Sequence, residues 1–243
     1  MKKLLFILLI FCIIFSPIAY ADDDLNFENY NDFPISETGT NSSTLEPNIS
    51  SKNAIIFDRN SKITLYEKNP FQEVAIASTT KIMTCILALE NADLSDTITI
   101  SKKAAAVAGS TLGLKENMKL TLNDLLYGLM LRSGNDCAIA IAEHISGSTE
   151  NFSFLMNKKA KELGLKNTNF VTPHGLDNEE HYSSAYDLAL LTDYALNNDT
   201  FKKMVSTKRI TINFNGYQKE LINTNELLDN QKRNIWRKNW FYI

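Results

Sequence analysis

The sequence predicts an α+β fold, because strand-like segments flank a long block of helical segments. Residues 54–57 and 63–66 are mainly apolar or β-branched and lie on either side of a polar turn at 58–61, which predicts a hairpin. From residue 78 to residue 205, most apolar residues recur at helical spacing. Residues 208–214 alternate and predict a further strand. A helical block inserted between strand segments indicates an α+β fold.

The elements inside this block are predicted from their caps and their apolar spacing. Thr121 and Asp124 form a start like a capping box, with Asp in place of Glu, so a helix is expected from Thr121. The other predicted elements are a helix that contains Ser78, a strand at 97–100, and helices at 104–107, 136–145, 150–163, 184–197 and 201–205.

Residues 1–21 are typical of a secretory signal peptide. Lys2 and Lys3 precede an apolar stretch, and residues 19–21 form a small-x-small cleavage site. An uncleaved membrane anchor is the alternative, although the apolar stretch is short for a membrane span. Residues 22–50 contain many Asp, Asn, Ser and Thr, which predicts a flexible leader. We therefore expect a secreted protein.

Composition narrows the possible partners. The chain has 243 residues, 44% of them hydrophobic, which is enough for one large or two small domains. Its formal net charge is −3 and becomes −5 without Lys2 and Lys3, which argues against nucleic acid as a partner. Cys12 belongs to the signal segment, while Cys85 and Cys137 lie in apolar helical runs. These three cysteines predict neither a disulfide framework nor a metal site.

Ser78 and Lys81 are the first candidates for chemistry. A serine hydroxyl needs a base beside it to act as a nucleophile, and residues three apart on a helix are neighbours. Between Ile82 and Leu89 only Thr84 is polar, so the helix is expected to be buried on nearly all sides. Burial lowers the pKa of a lysine, which suits a base. A solvent-facing Ser and Lys on an amphipathic helix are the alternative.

A second polar motif, Ser133-Gly134-Asn135, lies between two apolar helical segments. The sequence therefore places it in a short turn between two buried helices. The alternative is that Ser133 and Asn135 only cap the second helix.

Together the two motifs resemble those of the penicillin-recognising serine enzymes. The wider pattern resembles one family of this fold, the secreted D-alanyl-D-alanine carboxypeptidases (low-molecular-mass penicillin-binding proteins). A class A β-lactamase is disfavoured, because the middle residue of the second motif is Gly134 and not Asp. Four stretches carry the resemblance over residues 51–228: Ala77-Ser78-Thr79-Thr80-Lys81-Ile82-Met83-Thr84, Leu131-Arg132-Ser133-Gly134-Asn135-Asp136, Thr172-Pro173-His174-Gly175-Leu176-Asp177 and Ser184-Ala185-Tyr186-Asp187-Leu188-Ala189.

The resemblance implies an antiparallel sheet with a helical lobe and a role for each motif residue. Ser78 attacks the carbonyl between the terminal D-alanines of a peptidoglycan stem peptide, and Lys81 accepts its proton. Ser133 passes the proton to the leaving D-alanine, and Asn135 binds the substrate amide and orients Lys81. A β-lactam antibiotic acylates Ser78 in the same way. No metal or organic cofactor is implied.

A loop packed beside the active site is the family's arrangement for the region of His174 and His181. The residues themselves leave a metal cluster open as the alternative, because acidic residues lie close by in the sequence: Asp177, Glu179 and Glu180.

The family's Lys-Thr-Gly strand is missing from the sequence. Residues 221–228 match the segment that precedes this strand, but the chain then ends in a basic and aromatic tail at 231–243. Reading residues 235–243 one nucleotide later can encode Tyr-Gly-Gly-Lys-Thr-Gly-Phe-Thr, so we interpret the tail as the product of a frameshift. A membrane-surface segment is the alternative. Sequencing the gene downstream of the Leu228 codon distinguishes the two.

On this interpretation, residues 51–230 form an incomplete peptidase domain that lacks the family's C-terminal sheet strands. An uncovered core and an open sheet edge would leave the 243-residue product poorly folded and nearly inactive. The alternative functions are a penicillin-binding or sensing protein without turnover, and a β-lactamase. The oligomeric state is not predicted.

Overall fold

The computed structural model describes residues 49–176 and 178–228. The predicted signal peptide at 1–21, residues 22–48 of the predicted leader and the tail at 231–243 lie outside the described residues. Asp177, one of the candidate acidic ligands, lies outside them too.

The first element is the predicted hairpin, formed by strands β1 (Ala54–Asp58) and β2 (Ile63–Lys68) in antiparallel register. Asp58 shapes its turn, because its carboxylate accepts hydrogen bonds from the Asn60 N–H and the Ser61 hydroxyl, both at 2.9 Å. A short acidic side chain that bonds the backbone two residues ahead is a common turn former. The hairpin prediction is confirmed.

The helix with the first motif lies at the centre of the fold. A 3₁₀ turn, Ala77–Thr80, continues directly into helix α1 (Lys81–Asn91). From residue 81 to residue 88 every side chain except Ile82 is buried. Five other helices of the described chain pack around α1, which explains why its sequence is apolar on nearly every face.

The remaining elements follow in chain order. They are β3 (Thr97–Thr99), α2 (Lys102–Ala105), β4 (Lys119–Thr121), α3 (Leu122–Arg132), α4 (Asn135–Ser146), α5 (Thr149–Glu162), α6 (Ala185–Ala195), α7 (Asp199–Ser206), β5 (Arg209–Phe214) and β6 (Tyr217–Ile222). The prediction of a helix at 104–107 is displaced by two residues, because the Ser101 hydroxyl accepts the Ala104 N–H and starts the helix earlier.

Polar caps fix where most of these helices begin. The hydroxyls of Thr121, Ser148 and Ser184 each accept a backbone N–H three residues ahead, which satisfies a donor that the helix itself leaves unpaired. The helix start predicted at Thr121 is therefore confirmed. Helix α4 ends at Gly147, whose φ of +75° suits glycine.

The described strands form three two-stranded antiparallel sheets, β1–β2, β3–β4 and β5–β6. The β1–β2 hairpin packs its Ile55 and Phe57 against Ala185 and Ala189 of α6. The β5–β6 hairpin packs against α3. Helices and separate antiparallel strands confirm the α+β prediction. Among the described residues, no helix has the length and apolar character needed to cross a membrane.

Candidate active site

Ser78 and Lys81 meet where the 3₁₀ turn becomes helix α1. The Lys81 Nζ lies 2.9 Å from the Ser78 Oγ, so the contact that the three-residue spacing predicts is present. Ser78 is exposed, which leaves its oxygen open to an incoming molecule. Lys81 is only 2% exposed.

The environment of Lys81 makes its amine easier to deprotonate. Burial lowers its pKa from 10.5 to about 8, because an ammonium group loses its hydration inside the protein. The amine makes a second hydrogen bond, 2.9 Å long, to the backbone carbonyl of His174. The alternative of a solvent-facing lysine is therefore wrong.

Ser133 brings a second hydroxyl to the same oxygen. It ends helix α3 in the left-handed conformation, with φ of 55° and ψ of 37°, which is uncommon for a residue other than glycine. Its Oγ donates a hydrogen bond of 2.9 Å to the Ser78 Oγ. The capping alternative is wrong, because Gly134 occupies the N-cap of α4 and makes no side-chain cap bond. The prediction of a turn between two buried helices is confirmed.

Asn135, the other residue of this motif, contacts a neighbouring loop. Its side-chain amide donates to the Ala108 carbonyl at 2.8 Å, and its backbone N–H donates to the Ser110 carbonyl at 2.7 Å. In the described part of the chain, Lys81 is held by Ser78 and the His174 carbonyl, and no hydrogen bond joins it to Asn135. Binding of a substrate amide by Asn135 stays a prediction.

Asp136 supports the site in a way that the sequence reasoning missed. One carboxylate oxygen accepts the N–H groups of Leu112 and Cys137, and the other accepts those of Gly113 and Leu114, all at 2.9–3.0 Å. This buried carboxylate therefore fixes the loop that also bonds Asn135. Its position directly after the second motif was the only signal in the sequence.

The segment at 172–176 closes the site from the other side. Besides the His174 carbonyl, it offers the Pro173 carbonyl to the Thr84 hydroxyl at 2.6 Å. Gly175 has φ of +82°, and a Cβ there would lie 1.8 Å from the Ala77 carbonyl oxygen. Only glycine permits so close an approach to the turn that carries Ser78.

The two histidines near this segment have backbone partners. His174 Nδ1 accepts the Leu176 N–H at 3.1 Å, and His181 Nδ1 accepts the Val171 N–H at 3.0 Å. Burial lowers the pKa of each to about 4, so both are neutral at pH 7. Among the described residues, no group of three or more His, Cys, Asp or Glu side chains is placed to hold a metal ion.

Cys85 and Cys137 are both buried and unpaired with each other. Burial raises the pKa of both thiols, so neither is a ready nucleophile at neutral pH. As predicted, these cysteines are part of the helical core.

The arrangement therefore brings an exposed serine oxygen within 2.9 Å of a buried amine and a second hydroxyl. It is the geometry of a serine acyl-transfer site in which lysine takes the place that histidine holds in other serine enzymes. On this α+β frame, fold and site together define the class of penicillin-recognising serine enzymes.

Comparison with known proteins gives the family. A family model for D-alanyl-D-alanine carboxypeptidase matches residues 40–237. D-alanyl-D-alanine carboxypeptidase DacF of Bacillus subtilis is 39% identical over 236 residues, which cover 94% of this chain and 57% of that protein. The chain therefore belongs to the D-alanyl-D-alanine carboxypeptidase family.

Solved structures agree with this assignment. Penicillin-binding protein 5 of Haemophilus influenzae is 36% identical, with a TM-score of 0.70 over 76% of this chain and 55% of that chain. A D-alanyl-D-alanine carboxypeptidase of Mycobacterium tuberculosis is 27% identical, with a TM-score of 0.74 over 80% of this chain and 74% of that chain. The chain spans about half the length of the curated relatives that it matches, for example 57% of the Bacillus subtilis protein and 45% of a Haemophilus influenzae relative.

Proposed function

We propose that this protein is a serine-type D-Ala-D-Ala carboxypeptidase, which removes the terminal D-alanine from peptidoglycan stem peptides through an ester on Ser78. The observation that carries the proposal is the 2.9 Å contact between the Ser78 Oγ and the Lys81 Nζ, whose pKa is lowered to about 8. An amine of that pKa is partly neutral near pH 7 and can take the serine proton as the hydroxyl attacks.

The proposed steps use the groups around Ser78. The Ser78 oxygen bonds to the carbonyl carbon of the penultimate D-alanine while its proton moves to Lys81. The Ser78 N–H stabilises the negative oxygen that forms, and such a donor typically contributes a factor of about 10²–10³ in rate. Ser133 passes the proton to the leaving nitrogen as the C–N bond breaks. Water then hydrolyses the ester and releases the shortened peptide.

Three further points complete the proposal. Asn135 binds the amide of the substrate, and its hydrogen bond to Ala108 holds it in place for this. A β-lactam acylates Ser78 by the same attack, and its opened ring stays attached to the serine. The reaction takes place outside the cytoplasm, after residues 1–21 direct the chain for secretion. No metal or organic cofactor takes part in these steps.

The test is to incubate the purified chain with a fluorescent penicillin and, separately, with a peptide that ends in D-Ala-D-Ala. Because the sequence contains no Lys-Thr-Gly, penicillin is used in excess over long incubations. We expect the mass of one penicillin on Ser78 and only slow release of D-alanine, in keeping with the nearly inactive product that the sequence predicts. Ser78→Ala is expected to abolish the label. Thr79→Ala, which removes the adjacent hydroxyl that bonds the Ile76 carbonyl, is expected to keep it.

The same assay separates the alternative functions. Label without D-alanine release indicates a penicillin-binding or sensing protein, and rapid release of hydrolysed penicillin indicates a β-lactamase. No label on the chain contradicts the proposal for this chain. A chimera with residues 1–228 followed by the corresponding C-terminal part of the Bacillus subtilis relative shows whether Ser78 reacts when that part is supplied.

A further inference from the structure

Ala77, the residue before the nucleophile, has a strained backbone. Its φ is +44°, in the left-handed region that residues other than glycine rarely adopt because their Cβ is crowded there. A methyl side chain offers no hydrogen bond to offset this crowding. The conformation therefore depends on groups around the 3₁₀ turn.

The Ala77 carbonyl is held by a buried threonine. The Thr80 hydroxyl, which is fully buried, donates to this oxygen at 2.7 Å. The Ala77 carbonyl and the Ser78 N–H belong to one planar trans peptide, so they point in opposite directions. Fixing the direction of the carbonyl therefore fixes the direction of the Ser78 N–H.

His181 in turn orients the Thr80 hydroxyl. Its Nε2 lies 2.8 Å from the Thr80 Oγ1, and its Nδ1 accepts the backbone N–H groups of Val171 and Thr172. Because two donors face Nδ1, the ring proton is on Nε2 and is donated to Thr80. The Thr80 oxygen accepts this proton, so the Thr80 hydroxyl donates its own proton to the Ala77 carbonyl. The hydrogen bonds therefore run in one direction, from His181 through Thr80 to Ala77. His181 is 3% exposed, which keeps competing water away.

Gly175 closes the other side of the same carbonyl. A Cβ at this position would lie 1.8 Å from the Ala77 oxygen and 2.6 Å from the Thr80 Oγ1. The backbone of the 172–176 segment therefore covers this hydrogen bond, and a covered hydrogen bond is stronger than one in contact with water.

We propose that His181 is a positioning residue for the nucleophile turn, the 3₁₀ turn Ala77–Thr80 that carries Ser78. Through Thr80 it fixes the Ala77–Ser78 peptide, so that the Ser78 N–H points at the oxygen that becomes negative during acylation. The inference rests on the proposed acylation of Ser78. His181 makes no hydrogen bond to Ser78 or Lys81, so it acts only through Thr80.

The test measures acylation by a fluorescent penicillin and separates the maximal acylation rate from the half-saturating concentration. Thr80→Val and His181→Leu are each expected to lower the maximal rate about 10- to 100-fold, less than the loss of a whole oxyanion donor. The half-saturating concentration is expected to change little. Thr80→Ser, which keeps the hydroxyl, restores the rate. The double variant is no slower than the slower single variant, because both act through one chain of hydrogen bonds.

A spectroscopic signal reports the N–H directly. In the penicillin ester on Ser78, a weaker hydrogen bond from the Ser78 N–H shifts the infrared stretching band of the ester carbonyl to higher frequency. We expect this shift in Thr80→Val and its absence in Thr80→Ser. A loss of stability alone does not move this band.

Thr192→Val is the matched control, because Thr192 is also a buried threonine whose hydroxyl donates to a backbone carbonyl, that of Leu188, at 2.7 Å. If Thr80→Val and Thr192→Val lower the unfolding temperature alike and both acylate at the parent rate, the positioning role is wrong. If the parent chain and the chimera are not acylated, the proposed function fails and this inference with it. If His181→Leu does not fold, the pair Thr80→Val and Thr80→Ser decides.

Discussion

At the scale of single residues, the pKa of Lys81 determines when Ser78 can react. The amine must be neutral to accept the serine proton, and burial lowers its pKa from 10.5 to about 8. The neutral fraction therefore rises as the pH increases through 8. We expect the acylation rate of the purified chain to increase between pH 6 and pH 8 and to level off above about pH 9.

The control for this pH profile is Lys81→Arg, which keeps a positive charge but cannot lose its proton in this range. We expect no label at any pH from this variant. A profile of the parent that is flat from pH 6 to pH 9 would contradict the role of Lys81 as the base.

At the scale of elements, the 172–176 segment can pack against the nucleophile turn because Gly175 has no side chain. Gly175→Ala introduces a Cβ that would lie 1.8 Å from the Ala77 carbonyl oxygen, so the backbone must move. Gly164→Ala is the matched control, because Gly164 has a similar φ of +73° but open space around its Cβ position. We expect Gly164→Ala to cost about 1–2 kcal/mol, the strain of the left-handed backbone alone.

Gly175→Ala is expected to cost clearly more, about 3 kcal/mol or above, and to slow acylation of the folded protein. Denaturant unfolding and penicillin labelling measure the two effects. Equal losses of stability in both variants, with unchanged labelling, would show that the close approach to Ala77 has no importance.

The loop at 112–114 depends on one carboxylate. In Asp136→Asn an amide group replaces one carboxylate oxygen, and whichever oxygen is lost, its N–H donors then face another donor. We expect a loss of about 3 kcal/mol in the free energy of unfolding, because a buried hydrogen bond to a charged group contributes about 1.5–3 kcal/mol. Amide hydrogen exchange at Gly113 and Leu114 is expected to accelerate. Asp93→Asn, at an exposed aspartate, is the control and should change neither measurement.

The sequence predicts an element when the residues of that element, and not a distant pairing partner, determine its structure. Thr121 and Ser184 cap their helices through their own side chains, so their neighbours in the sequence are sufficient to place these starts. Strand β4 has three residues and β6 carries polar residues at three of its six positions. Both are strands because they pair with β3 and β5, and such pairing partners are not visible in the local pattern.

At the scale of the whole molecule, the site is assembled from segments that are distant in the sequence. Ser133 is 55 residues from Ser78, and the His174 carbonyl is 93 residues from Lys81. The motifs predicted the contacts of Ser78 with Lys81 and Ser133, because these residue types are the ones that serine chemistry needs. They did not predict the His174 carbonyl as the second partner of Lys81, since a backbone carbonyl is the same in every residue. The direction of the Asn135 amide towards Ala108 was missed for the same reason.

Asp193 attaches the β1–β2 hairpin to helix α6. Replacing it tests whether the stability of the fold can be lowered without changing the reaction at Ser78. Asp193, whose side chain is 14% exposed, bonds Arg59 at 2.8 Å and Lys62 at 2.6 Å. Asp193→Asn is expected to lower the free energy of unfolding by about 1 kcal/mol, because the pair is only partly shielded from water. Asp193 bonds neither Ser78 nor any group that bonds it, so the acylation rate of the folded protein should not change.

The control is Asp199→Asn, since Asp199 pairs with Lys202 on the surface and its side chain is 93% exposed. We expect a smaller loss of stability there than in Asp193→Asn, because water screens this pair. If Asp193→Asn slows acylation as strongly as it lowers stability, the hairpin and the nucleophile turn form one cooperative unit. If only stability falls, the hairpin fixes the frame while the chemistry depends on the contacts around Ser78, as the local hydrogen bonds indicate.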